Sequence, residues 1–138
     1  MAERTLAALL ASLDPVQHDG TFVFCSVRSV PVGVRAVVTV REDEGTTLVV
    51  ANDEASRRGW PSTFPCAWIT LRVTSALDAV GLTAVVAAAL ADDGIPANVV
   101  AGFHHDHVFV PVDRGRAAML VLAALSKDGR RIVAEGAA

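Results

Sequence analysis

Residues 66–135 read CAWITLRVTSALDAVGLTAVVAAALADDGIPANVVAGFHHDHVFVPVDRGRAAMLVLAALSKDGRRIVAE, and the hydrophobic period changes repeatedly along this stretch. CAWITLRVT (66–74) alternates, with Ile69, Leu71 and Val73 on one face, as a half-buried strand does. TAVVAAALADD reads as a helix that stops at Gly94 and is closed off by Pro96. ANVVAGF (97–103) and HVFVPV (107–112) read as strands joined through a His104–Asp106 tip. GRAAMLVLAALS (115–126) repeats apolar residues at Ala118, Val121, Leu122 and Leu125, the stripe of a one-sided helix. RRIVAE (130–135) is expected as a last strand. The order is β-α-β-β-α-β.

That order is ferredoxin-like. Both helices carry one apolar stripe, so they belong on one face of an antiparallel sheet, and the other face needs cover. Upstream, ERTLAALLASL (3–13) spaces Leu6, Leu9, Leu10 and Leu13 as one helical stripe, ended by Asp14-Pro15. TFVFCSV (21–27), RAVVTV (35–40) and TTLVVA (46–51) read as strands, with REDEG (41–45) as a hairpin turn between the last two. NDEASRRG (52–59) reads as a short helix capped by Asn52 or Asp53. GWPSTFP (59–65) is the one linker-like segment. The chain is therefore expected to be α+β. A partial or rearranged unit spans 1–60, a complete βαββαβ unit spans 61–138, and two similar units side by side would solve the burial problem.

The 138 residues are 52% hydrophobic and 20% charged, enough apolar content for one well-packed domain and too much for disorder. Net charge is −3 and no basic run exceeds two residues, which argues against a nucleic-acid surface. Cys25 and Cys66 match no metal or redox spacing and are expected as buried thiols. No signal-peptide pattern is present near Glu3, and the most apolar run is about half the ~20 residues a membrane span needs. A soluble cytoplasmic protein with no membrane contact is the expectation.

Three of the four histidines crowd into His104-His105-Asp106-His107. His105 and His107 would share a strand face, but two ligands fall short of the three or four that zinc requires, and nothing in the sequence brings His18 near. No serine or threonine stands in an elbow motif, so a His–Asp pair lacks a nucleophile. Neither a catalytic residue, a metal nor a cofactor is assigned. SALDAVGLTA (75–84) is more informative. Ser75 and Asp78 stand three apart, as in a capping box. A helix starting near Gly81 would present the Leu82 and Thr83 amides at its positive end, a place that suits a carboxylate. A plain helix cap with a glycine for close packing explains the same residues.

LDAVGLTAVVAAALADDGIPANVVAG resembles the ACT domain, the small-molecule-binding module of amino-acid metabolism. Asp78, Gly81, Gly94 and Ile95 stand where that family has its Asp-x-x-Gly turn and the Gly-Ile that opens the next strand. GFHHDHVFVPVD is similar to an F-x-x-D-H-x-x-V-P segment found in small bacterial ACT proteins and in an animal cytosolic arginine sensor. LDPVQHDGTFVF, REDEGTTLVV and FPCAWITLRVTSALDAVGLTA extend the likeness to roughly residues 12–126. The resemblance implies two ACT-like units packed side by side with antiparallel sheets. It also implies a non-enzymatic regulatory role, in which an amino acid lies between units near the strand-to-helix turn. By position, Asp78, Gly81, Leu82 and Thr83 would hold one end of the ligand. Gly102, Phe103, His104 and His105 would line the pocket, and Asp106 would meet a cationic group. His104 and His105 depart from the sensor's less basic pattern, and protonated they would repel an arginine side chain.

The implied partners are a small-molecule ligand, a second copy in a homodimer, and a separate regulated protein. A metal-dependent enzyme using His104–His107 and a purely structural oligomerisation module are the alternatives. Arg41, Glu42 and Glu44 of the hairpin could reach a ligand's polar ends, though a solvated turn accounts for them. Trp60 and Trp68 are expected to pack rather than to stack on a ligand.

Overall fold

The computed structural model describes residues 5–136, so Glu3 and Arg4 of the first expected helix lie outside the described residues. Thr5 caps α1 (Leu6–Ala11), its hydroxyl accepting from the Ala8 amide at 3.2 Å and satisfying an N–H that a helix start leaves free. The chain continues through β1 (Pro15–Gln17), β2 (Phe22–Val27), β3 (Val38–Glu42), β4 (Gly45–Ala51) and α2 (Asn52–Arg58). Then follow β5 (Thr63–Leu71), α3 (Leu82–Asp92), β6 (Asn98–Ala101), β7 (Asp106–Pro111) and α4 (Gly115–Gly136).

One antiparallel sheet runs in the order β3-β4-β2-β5-β7-β6, with β1 also on β5. The long strand β5 joins its two parts. Its start pairs with β2 (Phe24 with Thr63, Phe22 with Cys66), and its end pairs with β1 (Gln17 with Ile69, Pro15 with Leu71). Its opposite edge carries β7 from Cys66 to Leu71. Each part is a four-stranded ferredoxin-like piece. In one, β5 and β7 are central between β1 and β6; in the other, β2 and β4 are central between β3 and the start of β5. The second piece has α2 but no helix between β2 and β3, where residues 28–37 run as turns and irregular backbone.

Two sequence expectations about elements change. RRIVAE is not a strand: α4 continues through it to Gly136, and β1 occupies the place beside β5. Gly129 sits inside α4 where α1 crosses. A Cβ there would stand 2.5 Å from the Ala11 nitrogen and 2.8 Å from the Ala7 oxygen. The glycine serves backbone approach, which sequence spacing alone does not reveal. At α2, neither Asn52 nor Asp53 caps: Ala51 holds the cap position without a side-chain bond, and the Asn52 amide donates to the Thr21 carbonyl at 2.9 Å. Cross-strand tethering replaces the cap there.

The main core lies between the β5-β7-β6 half of the sheet and α1, α3 and α4. It holds Leu9, Leu10 and Leu13 with Ile69, Leu71, Val86, Leu90, Val108, Val110 and Leu122. The first helix and β1 thus precede the strands of one unit in sequence and pack with the other. Val23, Cys25, Leu48, Val50 and Ala55 form a smaller core under α2. The two units extend one sheet edge to edge, so neither covers the other's open face as the sequence suggested. That face is filled by its own aromatic cluster. Phe24 meets Phe109 edge-on at 5.9 Å, and Phe22 meets Trp68 edge-on at 5.3 Å, arrangements favoured by the ring quadrupoles. Both cysteines are buried, and burial pushes the Cys66 thiol up to about 11, which leaves it protonated and unreactive at neutral pH.

Candidate functional site

Beyond β5 the chain is held to the segment after α1: the Arg72 amide donates to the Asp14 carbonyl and the Val73 amide to the Leu13 carbonyl, each at 3.2 Å. An irregular stretch then leads to Gly81, whose φ of +106° an L side chain rarely adopts. Gly81 is the N-cap of α3 and no side chain caps this helix. The first α-helical bond runs from the Val85 amide to the Gly81 carbonyl at 3.0 Å, so the Leu82, Thr83 and Ala84 amides have no intrahelical acceptor. Asp78, expected at the cap, is exposed and makes no cap bond.

Across from this helix start, β6 turns into β7. The Gly102 amide donates to the His105 carbonyl at 2.9 Å. Asp106 opens β7 between Ala101 of β6 and Leu71 of β5. Strand alternation puts its side chain on the helix face with Val108 and Val110. Burial pushes its carboxyl up from the usual value, with His107 and His105 offsetting part of the effect. Among the described residues the carboxylate has no hydrogen-bond donor.

These elements border a small open cleft of about 50 Å³. Ser75, Ala76, Leu77 and Ala79 form one wall, the first turn of α3 the end, and the β6–β7 turn the other wall. Of the residues singled out in the sequence, Leu82, Thr83, Gly102, His104, His105 and Asp106 line it together. Asp78 and Gly81 border this region without lining it, and Phe103 is 82% exposed. Ser75, Ala76, Leu77, Ala79 and Ala101 were missed as lining residues; apolar residues in an irregular loop, such as Leu77 at 67% exposure, were the available signal. The hairpin at Arg41–Glu44 lies at the other end of the sheet, beyond β4, β2 and β5.

The cleft has an amide-rich, positive end at α3 and a carboxylate at Asp106. His105 contributes a ring whose Nδ1 lies 3.5 Å from the Val73 carbonyl, and His104 packs edge-on against Phe103. His107 faces the opposite side of the sheet, where Trp68 Nε1–H donates to its Nδ1 at 3.0 Å. His18, which the sequence left remote, stacks on Trp68 at 3.5 Å and meets Thr70 Oγ1 at 2.7 Å. Burial lowers the pKa of both His18 and His107. Among the described residues no three His, Cys, Asp or Glu side chains converge as metal ligands.

The fold defines a tandem ferredoxin-like protein with a small cleft in its second unit. Two ACT domain family models match in succession, at residues 1–67 and 63–124, and the chain belongs to the ACT domain family. A crystal structure of a Vibrio cholerae protein of unknown function, described as a possible transport protein, is 40% identical. It covers 88% of this chain and 95% of its own, with a TM-score of 0.80. A protein from Agrobacterium tumefaciens is 21% identical over 78% of this chain and 84% of its own, with a TM-score of 0.65. The ligand-free regulatory subunit of aspartate kinase from Thermus thermophilus shares the fold at 10% identity. It covers 83% of this chain and 97% of its own, with a TM-score of 0.64. No curated protein matches the chain. Among the described residues no helix is long and apolar enough to cross a membrane.

Proposed function

We propose that this chain is a non-enzymatic sensor module that binds a free amino acid in the cleft between α3 and the β6–β7 turn. The observation that carries this reading is the placement of two opposite electrostatic partners across one hollow. Uncapped amides at Leu82 and Thr83 suit a carboxylate, and Asp106 suits an ammonium or a cationic side chain. A zwitterion matches both ends at once. His104 and His105 stand just before Asp106 in the turn and line the cleft with it. The regulatory assignment is supported by ACT family membership and by the likeness in fold to aspartate kinase regulatory subunits. In this reading the module acts as a cytoplasmic homodimer on a separate regulated protein. The strands β3 and β6 end the sheet and leave edges that a second copy can cover.

Thermal unfolding in the presence of each of the twenty amino acids, with and without a chelator, tests the reading. Ligand at 100 times its Kd adds about 2.7 kcal/mol. Unfolding entropy near 2.1 cal/mol/K per residue gives a chain of 138 residues about 0.29 kcal/mol/K, so the midpoint rises by about 9 °C. A rise for one or a few amino acids, indifferent to chelator, is expected. A midpoint lowered by chelator and blank to all twenty would favour a metal-dependent enzyme; indifference to both would favour a structural oligomerisation module.

A further inference from the structure

Behind the cleft, on the sheet face away from the helices, lies a polar chain that the cleft does not include. Thr70 and His107 stand directly opposite each other on β5 and β7. Trp68 is two residues before Thr70 and so shares its face. The Trp68 indole nitrogen can only donate, and it donates to His107 Nδ1 at 3.0 Å. Nδ1 therefore carries no proton, and in the neutral ring the proton sits on Nε2. Thr70 Oγ1 lies 3.0 Å from the same Nδ1 and 2.7 Å from His18 Nε2. The far edge of the His107 ring reaches the cleft wall. A Cβ built on Gly102 would stand 3.3 Å from His107 Nε2 and 2.8 Å from the His105 carbonyl oxygen. The ring thus backs the turn whose other side lines the cleft.

We propose that His107, which lines no part of the cleft, is a positioning residue for it: its neutral ring braces the Gly102–His105 turn, and a proton on Nδ1 releases that turn and weakens ligand binding. This rests on reading the cleft as the amino-acid site. The physical cause is a clash of donors. A protonated Nδ1 would face the Trp68 N–H with no lone pair between them, so the ring or the indole must move. Movement of the ring withdraws the contact behind Gly102. The titratable groups around His107 are His105 on the turn, His18 before β2, and Asp106 on its own strand. The first two oppose the added proton and Asp106 favours it; Val100, opposite on β6, is neutral. Burial is the largest influence and also disfavours the cation.

The test is an NMR pH titration of the full chain without ligand, following the His107 ring, the Trp68 indole N–H and the Gly102 amide. A His104→Gln/His105→Gln variant removes the turn's own imidazoles, leaving His107 as the histidine beside Gly102. The expected result is one shared midpoint for all three signals, below the ~6.5 of a free histidine. Trp68→Phe keeps an aromatic ring against His18 and deletes the opposing donor, and it should raise the His107 and Gly102 midpoints together. A Gly102 amide that stays flat while His107 titrates, or that follows another group's midpoint, overturns the proposal. The wild-type titration decides the matter even if Trp68→Phe does not fold. A thermal screen blank to every amino acid would remove the ligand reading without touching the titration, and a flat Gly102 would remove the linkage without touching the screen.

Discussion

Asp106→Asn separates a binding carboxylate from a structural one, because the two roles predict opposite effects on the free protein. The substitution keeps the shape and removes the charge. In the free chain, Asp106 sits between Leu71 and Ala101 with no donor among the described residues, and burial raises its pKa. A carboxyl whose folded pKa exceeds its unfolded value gives stability that is present at low pH and lost as pH rises through the folded value. At neutral pH the ionised group is therefore a liability. Neutralising it should leave the unfolding midpoint unchanged or slightly higher. Ligand binding should suffer. Losing a charge-assisted bond costs about 2 kcal/mol, or about 30-fold in Kd. With the best amino acid from the screen held at 100 times the wild-type Kd, the stabilisation falls to about 0.9 kcal/mol. The ligand-induced shift then drops from about 9 °C to about 3 °C. Scanning calorimetry of both proteins, with and without that amino acid, gives both numbers. An undiminished shift would remove Asp106 from the site. A drop of several degrees in the free protein would mean that the carboxylate holds the fold.

Gly102→Ala would place a Cβ 2.8 Å from the His105 oxygen. It should weaken the ligand-induced shift more than it lowers the free midpoint, since the strain falls on a surface turn; equal losses would contradict this. Gly129→Ala gains about 1 kcal/mol of helix propensity but drives a methyl into the α1 backbone. With overpacking of this kind costing about 1–3 kcal/mol, the net loss is up to about 2 kcal/mol and the midpoint should fall by up to about 7 °C. A rise would refute the close α1–α4 crossing. Acidification should destabilise the chain through His18 and His107. Both folded pKa values are lowered by burial, so this stability is full above the unfolded value near ~6.5 and is lost as pH falls below it toward the folded values. Urea midpoints at pH 7.5 and pH 5 measure this, and a His18→Gln/His107→Gln variant should flatten the dependence.

Much of the fold is legible in the hydrophobic period of the sequence. Ile69, Leu71 and Val73 alternate because a sheet has two faces, and the Leu6–Leu13 stripe repeats because a helix buries one side; both patterns appear in the main core. Gly81 and Gly94 mark helix ends because their positive φ disfavours other residues. The Leu82–Thr83 segment was readable as a candidate site piece from its place at a helix start, and His104–Asp106 only through the family resemblance. Their convergence was implied only by the family resemblance; no local pattern fixes it, since about twenty residues of helix and strand separate them. The same holds for β1, three residues too short to announce a strand, which takes the place expected of RRIVAE. It holds for Gly129, a breaker by propensity that becomes a contact once α1 crosses it. His18 joins Thr70 across 52 residues through a cross-sheet contact with no local signature. Local sequence determined which segments became helices and strands, because backbone sterics and one-sided burial act over a few residues. Only the tertiary structure decided which strand completed which unit and which charges met, because those depend on long-range pairing that no short period encodes.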